Sequence, residues 1–288
     1  MQTTLIVNPY ASRVTPEAVA AVEAVLRPVA TLTTQHAGHA TELAREVATE
    51  AVAVFSGDGG YNEVLNGLPS GIAAGFVPGG GTSVLPRALG LPRDPAAAAR
   101  RIAAGRRRRI GLGRANGRRF GFSAGVGLDA ELVRRMDERG RDASGRRPGD
   151  LAFVATAVRA LAERRAHFEP ALELVGLGRA AFALVGNCDP YSYAGRVPLR
   201  ITPDARFELG LDVTAPCEVR ARSLPRFGFY LVSGRGHARA ADLLRGHDLD
   251  RLELRCDEPL PLQLDGEDLG DVGEALFEAE RDALDVLV

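Results

Sequence analysis

Four short stretches of this chain carry the residue types that phosphate chemistry requires. The first is Ser56-Gly57-Asp58-Gly59-Gly60. Glycines let a backbone approach phosphate oxygens closely, and a helix that starts at such a loop offers free N–H groups and partial positive charge. Asp58 cannot face a phosphate without repulsion. It would hold a metal ion or a water, or orient a hydroxyl; the alternative is an Asx turn in which it bonds its own backbone. The second stretch, Pro78-Gly79-Gly80-Gly81-Thr82, would set another backbone cradle beside the first, which suits a polyphosphate. Asn8-Pro9-Tyr10-Ala11-Ser12 would add a third wall. Far downstream, the carboxylates of Asp265 and Glu267 flank Gly266 and would serve a hydroxyl nucleophile as general base and metal partner. Asp-Gly is also the strongest short hairpin signal, and the local residues alone favour a plain turn.

Composition narrows the chemistry. All 36 basic residues are Arg. A Walker loop, a protein-kinase strand and a pyridoxal Schiff base each need a Lys, so those three classes are closed. Any nucleotide phosphate would be held by backbone N–H groups, Arg and a metal ion. No apolar run reaches the roughly 20 residues of a membrane span, and no secretory signal is readable at the N-terminus. Three widely spaced cysteines, Cys188, Cys217 and Cys256, suit a reducing cytoplasm. The net charge is −1, yet Arg dominates from Arg100 to Arg147, with a run from Arg106 to Arg109. That run predicts docking on an anionic membrane surface. The competing account is that these arginines pair with the acidic C-terminal third. No nucleic-acid partner is expected, and the oligomeric state is not legible.

Two glycine loops act together only if the chain sets them at one sheet edge, and the flanking residues predict this. Leu5 to Val7, Ala30 to Thr34, Ala51 to Phe55 and Ile72 to Val77 read as short strands. Helices are expected after the Thr15-Pro16 cap, over Ala40 to Glu50, over Tyr61 to Leu68, and from Asp94-Pro95 to Ala104. Repeated strand–turn–helix units imply an α/β fold with a doubly wound, Rossmann-like nucleotide domain, set at residues 1–112. After about Ile110, short runs such as Phe120 to Phe122, Ala171 to Val175, Ala181 to Val185, Leu211 to Val213 and Leu252 to Leu254 predict an antiparallel, β-rich, sandwich-like domain over 113–288. Its C-terminal segment would pack back on the first domain. Helices Ala130 to Glu138 and Asp150 to Arg165 interrupt it, joined by a Gly-, Arg- and Pro-rich connector, Arg139 to Gly149.

Taken in order, the motifs resemble those of the diacylglycerol kinase catalytic-domain family, which also includes sphingosine and ceramide kinases. The matching residues are Asn8 to Ser12, Ser56 to Val64 with Asn66-Gly67-Leu68, Pro78 to Pro92, Gly125 to Ala130, and Asp265-Gly266-Glu267. The resemblance implies an ATP- and Mg2+-dependent kinase of a lipid hydroxyl, cytoplasmic and peripheral to the membrane. Glu267, with Asp265 beside it, would be the proton acceptor. Asn8, Thr34, Ser56, Gly57, Asp58, Gly59, Gly60, Asn62, Gly80, Gly81 and Thr82 would lie on the nucleotide, and Glu208 and Asp212 on a magnesium ion in the β domain. The chain also departs from the pattern. Ser56 replaces a glycine, Gly60 replaces a Thr, Ser83 and Val84 replace polar residues, and Leu209 stands where a carboxylate belongs. These departures open one alternative, a non-catalytic nucleotide- or lipid-binding member; the other is an NAD kinase-like enzyme, whose family shares the glycine-aspartate loop.

Overall fold

The computed structural model describes residues 1–140, 150–237 and 240–288, so most of the 139–149 connector lies outside the described residues. The chain divides into two compact units, Met1–Leu112 with Arg281–Val288, and Gly113–Glu280.

In the first unit, β1 (Thr3–Val7), β2 (Ala30–Thr33), β3 (Ala51–Ser56) and β4 (Ala73–Pro78) form a parallel sheet in the order β2-β1-β3-β4. Helices α1 (Pro16–Leu26), α2 (His39–Arg45), α3 (Asp58–Gly67), α4 (Val84–Ala88) and α5 (Pro95–Ala103) follow their strands. Alternate residues of buried β1, β3 and β4, among them Leu5, Val7, Ala53, Phe55 and Val77, pack on α1 and α5 through Val22, Ala99 and Ile102. Helix α2 packs against α3. Burial on both faces explains why these strands read as continuous apolar runs. The caps expected from sequence are present: Thr15 Oγ1 accepts the Ala18 N–H at 3.2 Å, and Asp94 Oδ1 accepts the Ala97 N–H at 2.8 Å. The strand order reverses between β1 and β3. In doubly wound sheets a ligand binds outside the carboxyl ends of the strands at such a point, which is where the loops after Val7 and Ser56 emerge.

The second unit is antiparallel. Strand β5 (Arg107–Ala115) enters it and pairs with β6 (Arg118–Phe120); then come β7 (Ser123–Val126), α6 (Leu128–Glu138), α7 (Asp150–Glu163), β8 (Leu172–Leu174), β9 (Gly178–Ala180) and β10 (Ala183–Gly186). A separate hairpin, β11 (Ser192–Ala194) with β12 (Val197–Leu199), precedes β13 (Leu211–Pro216), helix α8 (Leu224–Ser233) and β14 (Leu243–Leu249). The long strands β15 (Arg251–Leu264) and β16 (Glu267–Leu287) close the chain. Hydrogen bonding runs β14-β13-β10-β7-β15-β16. Register shifts between Arg255 and Gln263, around Pro259 and Pro261, divide β15. Its first half pairs with β8 and its second with β7. The core includes Phe120, Val185, Val213, Leu254, Leu264 and Phe277. The end of β16 lies in the first unit, where Val286 pairs with Ala74 of β4 and the Val288 N–H donates to Arg106 O.

The arginine run is not a bare cationic surface. Arg107 and Arg109 pair with Asp285, Arg114 and Arg119 with Glu280, and Arg118 with Glu267. Pairing with the acidic C-terminal residues, the competing account, is what these five side chains do. No helix among the described residues is long and apolar enough to cross a membrane.

Candidate functional site

Three loops meet at the carboxyl edge of the parallel sheet. Gly79 N–H donates to Ser56 O at 2.7 Å, and Arg13 N–H donates to Gly79 O at 2.9 Å, so the loops after β1, β3 and β4 are tied by backbone bonds. The backbones of the two glycine loops touch: a Cβ on Gly80 would stand 2.9 Å from Gly57 Cα. Asn8 closes its own turn, its Oδ1 accepting the Tyr10 N–H at 3.0 Å, and its N–H donates to Phe55 O. Tyr10 and Ser12 are exposed at this edge, Pro9 beside them, with Ala11 half-buried. Thr34, at the end of β2, is buried and bonded through its N–H to Val7 O.

Helix α3 begins at Asp58, three residues earlier than expected, so Asp58, Gly59 and Gly60 form its first turn. Gly57 is extended as the N-cap and contributes no side-chain cap. The first-turn N–H groups therefore have no intrahelical acceptor, which is the arrangement that binds anions. Asp58 Oδ1 accepts the Leu85 N–H at 3.3 Å, linking this turn to α4. Asn62 is fully buried one turn on, and Asn66 Nδ2 donates to its carbonyl. In the β4 loop, Ser83 Oγ bonds Gly80 N and O at 3.1 and 3.2 Å, fixing the turn around Gly81 and Thr82.

Four residues at this edge are not apparent from the loop motifs. Tyr61, 1% exposed, directs its hydroxyl to Ser56 O at 2.6 Å and Val77 O at 2.7 Å. It staples β3 to β4 where their loops begin, and burial raises its pKa, with the Asp58 charge adding to the effect. Arg13, Arg87 and Arg93 donate to Arg93 O, Thr82 O and Gly81 O respectively. In a chain without Lys, they bring the cationic charge that a polyphosphate needs, with guanidinium forks suited to its oxygens. The signal was available for two of them: Arg13 and Arg87 lie within five residues of the Asn-Pro and glycine loops, whereas Arg93 is brought to Gly81 from twelve residues on.

In the second unit the Asp-Gly turn joins β15 to β16, with Asp265 and Gly266 both at positive φ, 51° and 82°. Asp265 is 3% exposed, and its carboxylate accepts the N–H groups of Gly121, Phe122 and Ser123 at 2.6, 2.9 and 3.1 Å. Both oxygens are occupied in holding the β6–β7 turn, which makes Asp265 a positioning residue. Glu267 is more open and pairs with Arg118 at 3.0 Å. Asp268 is gripped by Arg134 of α6, whose guanidinium holds its carboxyl below the usual range. Behind the turn lies a half-buried group that sequence did not assign. Asp129 accepts from Tyr191 Oη and from Gln263 Nε2, the latter at 2.7 Å, while Gln263 Oε1 accepts the Gly266 N–H at 2.8 Å.

The magnesium site implied by the motifs does not fit the residues present. Glu208 is exposed, the Leu209 side chain offers no oxygen, and the buried Asp212 is otherwise engaged. His247 Nδ1 lies 2.9 and 3.0 Å from its two oxygens, and Asp248 N–H donates to it at 3.0 Å. An imidazole drawn to a raised pKa by this carboxylate stands where a cation would have to bind. Glu208 and Asp212 are therefore withdrawn as metal ligands. Among the described residues His36, His39 and Glu42 bring potential ligand atoms within 4.8 Å. His39 Nδ1, however, accepts the Gln35 N–H, which leaves the proton on Nε2 and no lone pair there.

Residues 2–115 match the diacylglycerol kinase catalytic domain family. A diacylglycerol kinase of Bacillus subtilis is 39% identical over 104 residues, an alignment covering 34% of this chain and 34% of that protein. A diacylglycerol kinase structure from Bacillus anthracis superposes with a TM-score of 0.73 at 19% identity, over 99% of this chain and 96% of the other. An NAD kinase from Archaeoglobus fulgidus in complex with ATP gives 0.55 at 11% identity, over 100% and 94%. At these identities the structures speak to the fold alone: a mixed α/β architecture with a parallel sheet and C-terminal antiparallel strands, as expected from the sequence.

Proposed function

We propose, for a chain whose residues 2–115 match the diacylglycerol kinase catalytic domain family, that it transfers the γ-phosphate of ATP to a hydroxyl of diacylglycerol or a related lipid. The observation that carries this reading is the first turn of α3, whose N–H groups have no intrahelical acceptor, set against the Gly79–Thr82 loop at the sheet's switch point. The phosphates would lie on these N–H groups, with Arg13, Arg87 and Arg93 spreading positive charge along the chain of oxygens. Tyr10, 60% exposed, would offer its ring to the base. Asp58 is the carboxylate here that would hold a magnesium ion or its waters, and the ion when bound neutralises developing charge on the transferred group. Tyr61 would keep the strand ends from which both loops emerge together, through Ser56 O and Val77 O. Glu267 would accept the lipid hydroxyl's proton, while Asp265 keeps its turn in place from below.

The test is transfer from γ-labelled ATP to a panel of diacylglycerols, sphingoid bases and NAD, run beside ATP binding. Label in a lipid, lost by about a hundredfold or more in Asp58→Asn, supports the reading. Label in NAD alone assigns the NAD kinase alternative. ATP binding without transfer to any acceptor assigns a non-catalytic member.

A further inference from the structure

Helix α8 is apolar on the side where a surface helix ordinarily carries charge. Leu224 and Phe227 pack inward on the cluster of Phe168, Phe182 and Leu184. On the opposite side, Phe229 and Val232 are 60% and 55% exposed, with Pro225 and Gly228 also exposed beside them. The helix contains no carboxylate. Hairpin β11–β12 packs against it, with Arg200 N–H donating to Leu231 O at 2.7 Å, and adds Val197, 46% exposed.

Charge surrounds this apolar face, and it is positive. At the start of α8, Arg220, Arg222 and Arg226 line a cavity of about 450 Å³ with Glu218 and Asp242. Glu218 pairs with Arg220 and Asp242 with Arg226. Arg222 has no carboxylate partner among the described residues, nor have Arg196, at the tip of the hairpin, and Arg235, just past the helix; all three are exposed. An exposed Phe and Val one turn apart, fringed by uncompensated arginines, match the chemistry of a helix lying in a bilayer interface.

We propose that α8 and the β11–β12 hairpin form the face by which this protein docks on an anionic phospholipid bilayer. Phe229, Val232 and Val197 enter the acyl boundary, and Arg222, Arg196 and Arg235 meet lipid phosphates. A lipid headgroup is the occupant of the cavity at Arg222. The purpose of such docking rests on the lipid-kinase reading, whereas the docking itself does not. The surface also differs from the Arg106–Arg109 run, part of which is neutralised by Asp285.

The experiment is co-sedimentation of the full chain with phosphatidylcholine vesicles, alone or containing about a third phosphatidylglycerol. Wild type should pellet with the anionic vesicles and be released by salt. Phe229→Ser with Val232→Ser should weaken binding by about tenfold or more. Arg222→Gln with Arg235→Gln should lose the preference for anionic lipid, and Arg107→Gln with Arg109→Gln should bind as wild type. The proposal is overturned if the Phe229/Val232 variant pellets like wild type. It is equally overturned if that variant instead dissolves a dimer seen by light scattering, since a second copy would then cover the face. Transfer to a water-soluble, short-chain diacylglycerol separates the two readings. The Phe229/Val232 variant should retain that rate, and a wild type that binds vesicles but phosphorylates no lipid sinks the function while leaving the docking.

Discussion

Ser56 and Gly60 divide the space of one side chain between them. A Cβ on residue 60 would stand 2.1 Å from Ser56 Oγ and 2.8 Å from Ser56 Cβ, with Asn8 Nδ2 3.9 Å away. Gly60 has ordinary helical backbone in the first turn of α3, so space alone excludes a side chain there. The two departures noted in this loop are thus one exchange: the hydroxyl moves from the start of the helix to the end of the strand. Ser56 Oγ is buried and has no hydrogen-bond partner among the described residues.

This geometry predicts strong coupling in a double-mutant cycle. Gly60→Ala should destabilise by about 1–3 kcal/mol through overpacking, although Ala favours helices. Ser56→Gly should stay within about 1 kcal/mol of wild type, because the hydroxyl has no bond to lose and the cost is backbone freedom. Combining the two should restore most of the stability lost in Gly60→Ala. Denaturant unfolding of the four proteins measures this, and additive losses would mean that the crowding is not what holds residue 60 as glycine.

Asp265 and Glu267 should part company when each is neutralised. Asp265→Asn turns an acceptor toward a donor against the N–H groups of Gly121, Phe122 and Ser123. It should cost about 1–3 kcal/mol of stability and lower the melting temperature. Glu267→Gln weakens its pair with the part-exposed Arg118, a contact worth about 1 kcal/mol or less. It should melt near wild type, bind ATP, and lose turnover by roughly a hundred- to ten-thousandfold. An active Glu267→Gln with a well-folded, dead Asp265→Asn would exchange the two roles.

Chelation should leave the ligand-free protein unchanged. His247 and the Asp248 N–H occupy the oxygens of Asp212, so no structural cation is needed to satisfy that carboxylate. EDTA should not shift the melting temperature, and millimolar Mg2+ without nucleotide should not raise it. His247→Ala should lower stability modestly, by about 1 kcal/mol, since the imidazole is half exposed. A melting temperature that falls on chelation would return the cation to Asp212.

The strands and loops of the first unit were legible because glycine and proline punctuate them and both faces of the sheet are buried. The start of α3 was not. Gly59 and Gly60 argue against helix by propensity, yet they are tolerated in a first turn whose N–H groups need no intrahelical acceptor. Helix α8 was hidden for a related reason. Leu-Pro-Arg-Phe-Gly-Phe reads as a loop, but Pro225 occupies the first turn, where a missing N–H costs nothing. The long acidic strand β16 resembles a solvated segment until its register sets Glu280 beside Arg114 and Arg119. Likewise Asp212 is readable as a metal ligand from its neighbours in sequence, and only the β13–β14 pairing delivers His247 to it.

Asp129, half-buried, lies against Gly125, where a Cβ would stand 2.4 Å from its Oδ2. Burial raises its pKa above the ordinary carboxylate value, and the bonds from Tyr191 and Gln263 oppose this less strongly. In the unfolded chain the same group gives up its proton near pH 3.9, about the model-peptide value. Between the two values the folded protein carries a proton that the unfolded chain lacks. Stability is therefore greatest below the unfolded pKa, falls as pH rises through the raised folded pKa, and then levels off. Asp129→Asn removes the titration while keeping one oxygen to accept from Tyr191 and Gln263. At neutral pH the variant should melt above wild type, and the gap should close as pH falls toward about 4. Melting curves for both proteins across this range measure the effect. A variant less stable than wild type at neutral pH would show instead that the fold holds Asp129 as an ionised, stabilised carboxylate.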